Sequence, residues 1–291
     1  MRLTNNHGLP EPFMAALSRD LYHQDGHISV TGLIQPPRIR QLSVRHDAQI
    51  SEDVSDRIWM LLGSLVHDLL ERSVPDNALS EERMSVNVGG WKVTGQADLL
   101  EADGTLSDYK VTSTWAVLND IKPDWVTQTN LYAHLYRQAG FSVNKIQIVA
   151  VLRDWSTSRA KSGGDYPACA CKVLPVPTWS HGECETYLTE RVFLHKQAAD
   201  LSDDALPYCT PEERWEKPTI YAVMKKGRKS ALRLLDSHEE AERWMWEKEK
   251  GDSVDVREGE STRCERYCAV GGNTGICNQH RELLSLKNAK T

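Results

Sequence analysis

A hairpin closed by the three-residue loop Ala102–Gly104 most constrains how this chain can fold. An odd-numbered loop, a type I turn ended by Gly104 in the left-handed region, places Asp98 opposite Asp108 on the neighbouring strand. Alternate residues of a strand leave the same face of a sheet, so Asp108 and Lys110 share a face as well. The hairpin is therefore expected to gather two carboxylates and one lysine on a single face.

A histidine on the preceding helix can complete this group. Apolar residues recur at helical spacing from Val54 to Leu70, which predicts an amphipathic helix packed on the rest of the fold. Gly63, His67 and Glu71 form a separate stripe along it, and Gly63 is expected to let the hairpin approach His67 closely. Imidazole with two carboxylates suits Mn²⁺ or Mg²⁺, either of which can activate water for attack on a phosphate.

The candidate catalytic residues have distinct roles. Asp98 lies in an otherwise apolar strand, where an unpaired carboxylate is costly and a metal or cation removes the difficulty. Lys110 can orient the attacking water or neutralise charge that builds on the phosphate. Gln128 and Tyr132 stand one turn apart on the next predicted helix and share a face. The alternative interpretation is an ordinary charged hairpin beside a buried, satisfied histidine and a generic helix surface.

Composition excludes some classes of protein. The 291 residues are 40% hydrophobic and 26% charged, which is typical of a soluble globular chain. The net charge of -6 argues against nucleic-acid binding through overall charge, so DNA contacts are expected at local basic patches around Arg38, Arg40 and Arg45 and in the turn 225–229. There is no signal-like or membrane-spanning segment, which indicates a cytoplasmic protein without a membrane partner.

The order of predicted elements indicates an α/β core over residues 51–205, between a basic N-terminal segment of residues 1–50 and a C-terminal part of residues 206–291. The core should hold a mixed sheet flanked by helices, with strands at 91–100, 105–112, 145–152 and 171–176 and helices at 54–70, 123–139 and 180–199. The C-terminal part is predicted as a small, cysteine-rich α+β appendage with strands at 219–224 and 231–235, a helix from Ser237 and an extended piece at 254–257.

Four short motifs in this order resemble the PD-(D/E)xK nuclease superfamily, specifically its RecB-like branch of CRISPR-adaptation-type nucleases and phage recombination exonucleases. The motifs are Gly63-x-x-x-His67, Gly95-x-x-Asp98, Asp108-x-Lys110 and Gln128-x-x-x-Tyr132. The resemblance implies a restriction-endonuclease-like core and a metal-dependent DNA nuclease. It also implies a metal held by His67, Asp98, Asp108 and the backbone carbonyl of Val111, with Gln128 and Tyr132 near the substrate strand.

The cysteines extend the resemblance. Members of this branch often carry a [4Fe-4S] cluster on three C-terminal cysteines and one distant cysteine, which here correspond to Cys264, Cys268 and Cys277 with Cys209. Such a cluster would clamp both ends of the appended strands and helix. A Cys₄ zinc site and simple burial remain alternatives. The other three cysteines, Cys169, Cys171 and Cys184, are expected to be bystanders.

The functional hypothesis is a Mg²⁺- or Mn²⁺-dependent deoxyribonuclease, most simply an exonuclease that processes single-stranded or duplex DNA ends in recombination. A CRISPR-adaptation-type nuclease that trims DNA with an integrase partner is a second possibility, and the sequence does not separate the two. Two further classes stay open, namely a nuclease-fold protein that binds DNA without cutting and an iron–sulfur redox or sensor protein. Both acids and the lysine of the candidate site are present, which favours the nuclease.

Overall fold

The computed structural model describes residues 1–18, 26–248 and 250–288. The strands are β1 (Arg2–Thr4), β2 (His27–Ser29), β3 (Ser51–Asp53), β4 (Leu79–Ser80), β5 (Arg83–Val88), β6 (Trp91–Gln96), β7 (Leu99–Leu100), β8 (Thr105–Thr112), β9 (Lys145–Leu152), β10 (Cys171–Pro175), β11 (Glu216–Lys217), β12 (Ile220–Met224), β13 (Arg233–Leu235), β14 (Ser253–Arg257) and β15 (Glu260–Ser261). The α-helices are α1 (Glu11–Leu17), α2 (Val30–Ile34), α3 (Pro37–Arg45), α4 (Ile58–Glu71), α5 (Pro123–Gln138), α6 (Thr157–Lys161), α7 (His181–Asp200), α8 (His238–Lys248), α9 (Thr262–Arg266) and α10 (Asn278–Asn288).

The chain divides into two compact units, one of residues 1–37 and 51–201 and one of residues 38–50 and 202–291. The first unit contains a five-stranded sheet in the order β10-β9-β8-β7-β4 and a three-stranded sheet in the order β2-β6-β5. Strands β8 and β9 are parallel and their other neighbours in the five-stranded sheet are antiparallel, so that sheet is mixed. Helix α5 packs on both sheets and α4 packs on β8. The predicted α/β fold class, a mixed sheet flanked by helices, is confirmed and is consistent with a restriction-endonuclease-like core.

The hairpin has the predicted register. Leu99 pairs with Ser107 and Leu100 with Leu106, so the next position outward places Asp98 against Asp108. Gly104 has a φ of 83°, and its N–H donates to the carbonyl of Glu101 at 2.9 Å. The odd loop and its left-handed glycine are therefore confirmed.

The strand predicted over residues 91–100 is divided between the two sheets. Residues up to Gln96 form β6 in the three-stranded sheet, and β7 begins at Leu99 in the five-stranded sheet. Ala97 and Asp98 lie at the break. Asp98 thus stands where the chain passes from one sheet to the other, rather than inside a regular strand.

Strand β5 was not predicted from the sequence. It pairs with β6 through the two-residue turn Gly89-Gly90, in which both glycines have positive φ. Two adjacent glycines between apolar alternating runs are typical of such a hairpin, so a signal for this strand was present.

Helix α4 forms as predicted and packs on β8 and α1, but the fold covers it only in part. None of its residues is buried, and the apolar side chains of Trp59, Leu65 and Leu69 are 54%, 56% and 66% exposed. Hydrophobic periodicity fixed the helix but did not indicate which side of it the fold covers.

Two glycines behave differently from the sequence expectation. A methyl group added at Gly63 would meet no atom within 4 Å, so this residue does not serve a close approach of the hairpin. The close approach occurs at Gly95 on β6, where an added methyl would lie 2.6 Å from Leu135 Cδ1 and 2.7 Å from Tyr132 Cδ1. Gly95 is therefore the residue that lets α5 pack directly against the sheet.

The second unit contains the three-stranded sheet β13-β12-β14 with α8 packed on it, together with the short β11–β15 pair. These elements agree with the strands, helix and extended piece predicted for the C-terminal appendage. Helix α3 belongs to this unit. No helix in the described part of the chain is long and apolar enough to cross a membrane.

Two of the three arginines of the basic patch predicted around α3 have partners within the second unit. Arg38 is 1% exposed, and its Nη1 donates to the carbonyl of Leu206 at 2.6 Å. Arg45 forms an ion pair with Asp203 at 2.9 Å. Burial and pairing therefore give these two arginines structural partners within the second unit.

We predict opposite stability effects for alanine at the two glycines. Gly95→Ala should destabilise the fold by about 1–3 kcal/mol, since the methyl overlaps Tyr132 and Leu135. Gly63→Ala should stabilise it by about 1 kcal/mol, because alanine favours the helix and meets no neighbour. Chemical denaturation monitored by circular dichroism measures both changes, and destabilisation by Gly63→Ala would contradict the open environment of that residue.

Candidate active site

The structure brings the sequence-predicted residues of the first unit together. His67 comes from α4, Asp98 from the break between β6 and β7, and Asp108 and Lys110 from β8. Gln128 and Tyr132 reach the same place from α5. Four separate segments of the chain thus converge on one group of polar side chains.

Asp98 connects the histidine to the main chain of β8. His67 Nδ1 lies 3.1 Å from one carboxylate oxygen of Asp98, and the N–H of Tyr109 donates to the other. The hydrogen bond to Asp98 raises the pKa of the His67 imidazole, against the opposing effect of burial. His67 Nε2 also lies 3.2 Å from the carbonyl oxygen of Tyr109. The imidazole is therefore held between a carboxylate and a strand.

Asp108 is a buried carboxylate with a single cationic contact. It is 2% exposed, and its Oδ2 lies 2.6 Å from Lys110 Nζ. Apart from this ion pair, Oδ2 has no hydrogen-bond partner among the described residues. Burial raises the pKa of the Asp108 carboxyl, while the Lys110 ammonium opposes the shift. A buried acceptor of this kind fits a divalent cation.

Lys110 is positioned by the residues of α5. Its Nζ donates to Gln128 Oε1 at 3.1 Å, and Gln128 Nε2 donates to the Tyr132 hydroxyl at 2.8 Å. Tyr132 is 7% exposed, and burial raises the pKa of its phenol well above the ordinary value. The amide of Gln128 thus bridges a neutral phenol and an ammonium group, and this bridge limits the positions that the ammonium can take.

Glu81 belongs to the site and was missed from the sequence. Its Oε1 lies 3.8 Å from His67 Nδ1, and its Oε2 accepts from Gln96 Nε2 at 2.6 Å. Ligand atoms of His67, Glu81 and Asp98 all lie within 4.8 Å of one another, close enough to hold one metal ion. Glu81 has a φ of 51°, a conformation that non-glycine residues rarely adopt and that accumulates at functional sites. No motif surrounds this residue, so only the structure identifies it.

The main-chain carbonyl that lies beside His67 is that of Tyr109, whose oxygen is 3.2 Å from His67 Nε2. The Tyr109 N–H binds Asp98. Val111, whose carbonyl the resemblance implies as a metal ligand, lies two residues further along β8, and that role stays a prediction.

A second group of potential metal ligands lies elsewhere in the same unit. Ligand atoms of His134 on α5 and of His181 and Glu185 on α7 lie within 4.8 Å of one another. The rings of His134 and His181 stack with centroids 5.1 Å apart. This group has no lysine and no buried carboxylate, which distinguishes it chemically from the site around Asp108.

The four cysteines Cys209, Cys264, Cys268 and Cys277 lie in electrostatic range of one another within the second unit. Burial, with smaller contributions from the charges of Glu213 and of the other three cysteines, raises the pKa of Cys209 to about 12. Burial likewise raises the pKa of Cys264 to about 11. Gln279 fixes the Cys209 main chain, because its amide accepts from the Cys209 N–H at 2.8 Å and donates to the Cys209 carbonyl at 2.9 Å.

The spacing of these sulfurs bears on the metal they could hold. A tetrahedral zinc with bonds of about 2.3 Å needs sulfurs about 3.8 Å apart. Among the described residues, no set of three cysteine sulfurs lies within 4.8 Å of one another. The described residues therefore show no cysteine metal site, and the cluster and the zinc site both stay predictions.

Comparison with known proteins gives distant likenesses only. No protein-family model and no curated protein sequence matches the chain. The crystal structure of SSO0001 is similar at 18% identity with a TM-score of 0.44, over 62% of this chain and 82% of that chain. The alkaline exonuclease LHK-Exo from Laribacter hongkongensis is similar at 14% identity with a TM-score of 0.34, over 66% of this chain and 100% of that chain. The fold class therefore rests on the sheet order and helix packing of this chain itself.

We predict that Mn²⁺ stabilises the native protein and that Asp108→Asn abolishes this effect. Metal at 100 times its dissociation constant should stabilise the wild type by about 2.7 kcal/mol. In the presence of EDTA, the melting temperature of Asp108→Asn should be at least as high as that of the wild type. The folded-state pKa of Asp108 is raised, so its ionised form opposes folding at neutral pH, and the neutral amide removes that cost.

Thermal unfolding with EDTA and then with MnCl₂ measures both effects. His181→Ala is the matched control, since it removes a ligand of the second group and should leave the Mn²⁺ shift at the first site intact. A full Mn²⁺ shift in Asp108→Asn combined with a lost shift in His181→Ala would place the metal at the second group instead.

Proposed function

We propose that this chain is a divalent-metal-dependent deoxyribonuclease that hydrolyses phosphodiester bonds at DNA ends. One observation carries the proposal. The odd loop and the break between β6 and β7 place Asp98 against Asp108, with His67 and Lys110 in contact with these two acids. Two acids, an imidazole and an ammonium in one group match the needs of phosphodiester hydrolysis, namely a metal site, an activated water and a fixed positive charge.

In this proposal His67, Asp98, Asp108 and the Val111 carbonyl hold the ion, and Glu81 is a further ligand or a partner of a bound water. A bound Mg²⁺ or Mn²⁺ supplies Lewis acidity and lowers the pKa of a coordinated water. Imidazole nitrogen beside carboxylates favours Mn²⁺ over Mg²⁺. The Asp108 oxygen that has no hydrogen-bond partner among the described residues would then be a metal ligand.

Lys110 acts on the phosphate and the attacking water. Its ammonium contacts Asp108 and Gln128, and it is 21% exposed, so part of it remains open to a substrate. A fixed ammonium beside a metal stabilises the extra negative charge of the pentavalent phosphate. Gln128 and Tyr132 hold this ammonium on the substrate side of β8. Preference for DNA ends, and a setting in recombination, follow from the resemblance to phage recombination exonucleases.

The proposal predicts that removal of the lysine abolishes cleavage. Lys110→Ala should lower the cleavage rate by at least about 100-fold, the typical cost of losing one group that stabilises the transition state. Labelled linear and circular DNA with Mn²⁺ or EDTA gives the rate and the dependence on ends. Lys161→Ala on α6 is the matched control, because that exposed lysine lies outside the site.

Two results would contradict the proposal in different ways. Cleavage by Lys110→Ala at the wild-type rate would remove the assignment of the site. Tight DNA binding by the wild type without cleavage at any Mn²⁺ concentration would instead support a nuclease-fold protein that binds DNA without cutting it.

We also propose that Cys209, Cys264, Cys268 and Cys277 hold a [4Fe-4S] cluster. Support comes from a buried cation beside these thiols: Arg38 Nε donates to Cys277 Sγ at 3.3 Å. Arg38 Nη2 is buried and has no hydrogen-bond partner among the described residues. A cluster with four thiolate ligands carries negative charge, so it would complete the environment of this guanidinium.

The cluster proposal predicts a coloured protein whose stability depends on these cysteines. Protein purified without oxygen should contain iron and acid-labile sulfide in equal amounts, and Cys209→Ser should lose both and melt at a lower temperature. Cys184→Ser is the control, because Cys184 is a buried cysteine on α7 in the other unit. Stoichiometric zinc with no sulfide in the anaerobic protein would contradict the cluster.

A further inference from the structure

The described residues of the first unit leave part of the surface of α4 next to the candidate site uncovered. Trp59 is 54% exposed, and the position one turn later is Gly63, where an added methyl would meet nothing within 4 Å. Glycine in the middle of a helix weakens that helix relative to alanine. Neither packing nor backbone conformation requires glycine at position 63. The presence of glycine there therefore has to be explained by something other than the fold.

An arginine is stacked on the exposed indole. The guanidinium carbon of Arg153 lies 4.2 Å from the centre of the Trp59 ring. The main chain at this arginine is fixed, since the Arg153 N–H donates to the Thr112 carbonyl at 2.9 Å and Asp154 Oδ1 accepts from the Thr114 N–H at 2.6 Å. The pair combines a flat aromatic surface with a positive charge at the end of β9.

Trp59 and Arg153 lie at similar distances from the candidate site, Trp59 measured along α4 and Arg153 along the sheet. Trp59, Gly63 and His67 follow one another at four-residue intervals, which places Trp59 about 12 Å before His67 along the axis of α4. Ala150 pairs with Lys110, and Arg153 follows three residues later, about 10 Å along the sheet. A stacked nucleic-acid strand rises about 3.4 Å per nucleotide, so this distance corresponds to about three nucleotides.

We propose that Trp59, Gly63 and Arg153 form a subsite for the single-stranded part of the DNA substrate, a proposal that rests on the nuclease function above. A base stacks on Trp59, Arg153 contacts the adjoining phosphate, and the bare helix surface at Gly63 lets the strand continue to His67 and the acids. Aromatic surface with cationic charge is the general chemistry of single-strand binding. A second indole, Trp115, is 71% exposed in the turn that Asp154 holds.

Two features of this surface favour a nucleic-acid strand over a protein as its ligand. The charge that accompanies the indole is positive, which complements a phosphate chain. The gap at Gly63 also leads along the helix from the indole to the metal-ligand candidate His67. An apolar protein partner would need neither the guanidinium nor a path to the acids.

The test measures DNA binding separately from cleavage. In an Asp108→Asn background, which should not cut, fluorescence anisotropy gives the affinity for a labelled duplex with a single-stranded tail and for a blunt duplex. Trp59→Ala should weaken binding of the tailed DNA by about 5- to 150-fold, the range for loss of one stacked base, and Trp59→Phe should restore much of it. Trp246→Ala, which removes an 82% exposed indole in the other unit, is the matched control.

Gly63→Ala and Gly63→Leu test the subsite without removing an aromatic side chain, because they fill the space that the DNA strand is proposed to occupy. Gly63→Ala should raise the melting temperature and still weaken binding of the tailed DNA, and Gly63→Leu should weaken it more. In the cleaving protein, the Trp59 and Gly63 variants should retain the Mn²⁺-induced thermal shift, since they leave the ligands in place.

Several outcomes separate this subsite from the nuclease proposal. If the wild type cleaves DNA and Trp59→Ala binds and cleaves tailed DNA as the wild type does, the subsite is overturned while the nuclease stands. If Trp59→Ala instead turns an oligomer into a monomer on size-exclusion chromatography with unchanged DNA affinity, the face binds a second copy and the subsite is also overturned. If Lys110→Ala retains full activity, the nuclease site itself is wrong.

Discussion

The candidate site depends on the contact between the Asp98 carboxylate and the main-chain N–H of Tyr109. This contact joins the point where the chain changes sheets to the middle of the strand that carries Asp108 and Lys110. One oxygen of Asp98 is used for this anchor and the other faces His67. The same carboxylate therefore fixes the geometry of β8 relative to α4, and a shift of register by one residue would turn Asp108 and Lys110 to the other face.

Local rules in the sequence predicted much of this arrangement. The bounds of β8 and β9 were predicted to the residue, the capping box at Ser180 and Glu183 is present, and Gly104 adopts the left-handed conformation that its loop requires. Each of these features depends on neighbours within a few residues. The contacts that Glu81 and the Tyr109 carbonyl make with His67 could not be predicted, because they arise from tertiary structure. The burial of α4 could not be predicted either. Hydrophobic periodicity predicts an apolar face on a helix but does not show whether other elements cover that face.

The first unit retains several locally unfavourable features around one place. Asp108 is a buried acid, Glu81 has a strained backbone, and Gly63 weakens an exposed helix without a packing benefit. Substitutions at such positions are expected to stabilise the fold and reduce function. Their occurrence around His67 and Lys110 supports the proposed ligand site.

The openness of α4 has a consequence for the order of events at the proposed site. The acids on the sheet are buried, whereas no residue of the helix that carries His67 is buried. Under the proposed function, a substrate strand would contact α4 before it reaches Asp108, and Lys110 is partly exposed. The helix would then contribute both a metal ligand and a surface that aligns the strand. The proposal would thus account for an exposed apolar residue such as Trp59 on a well-formed helix.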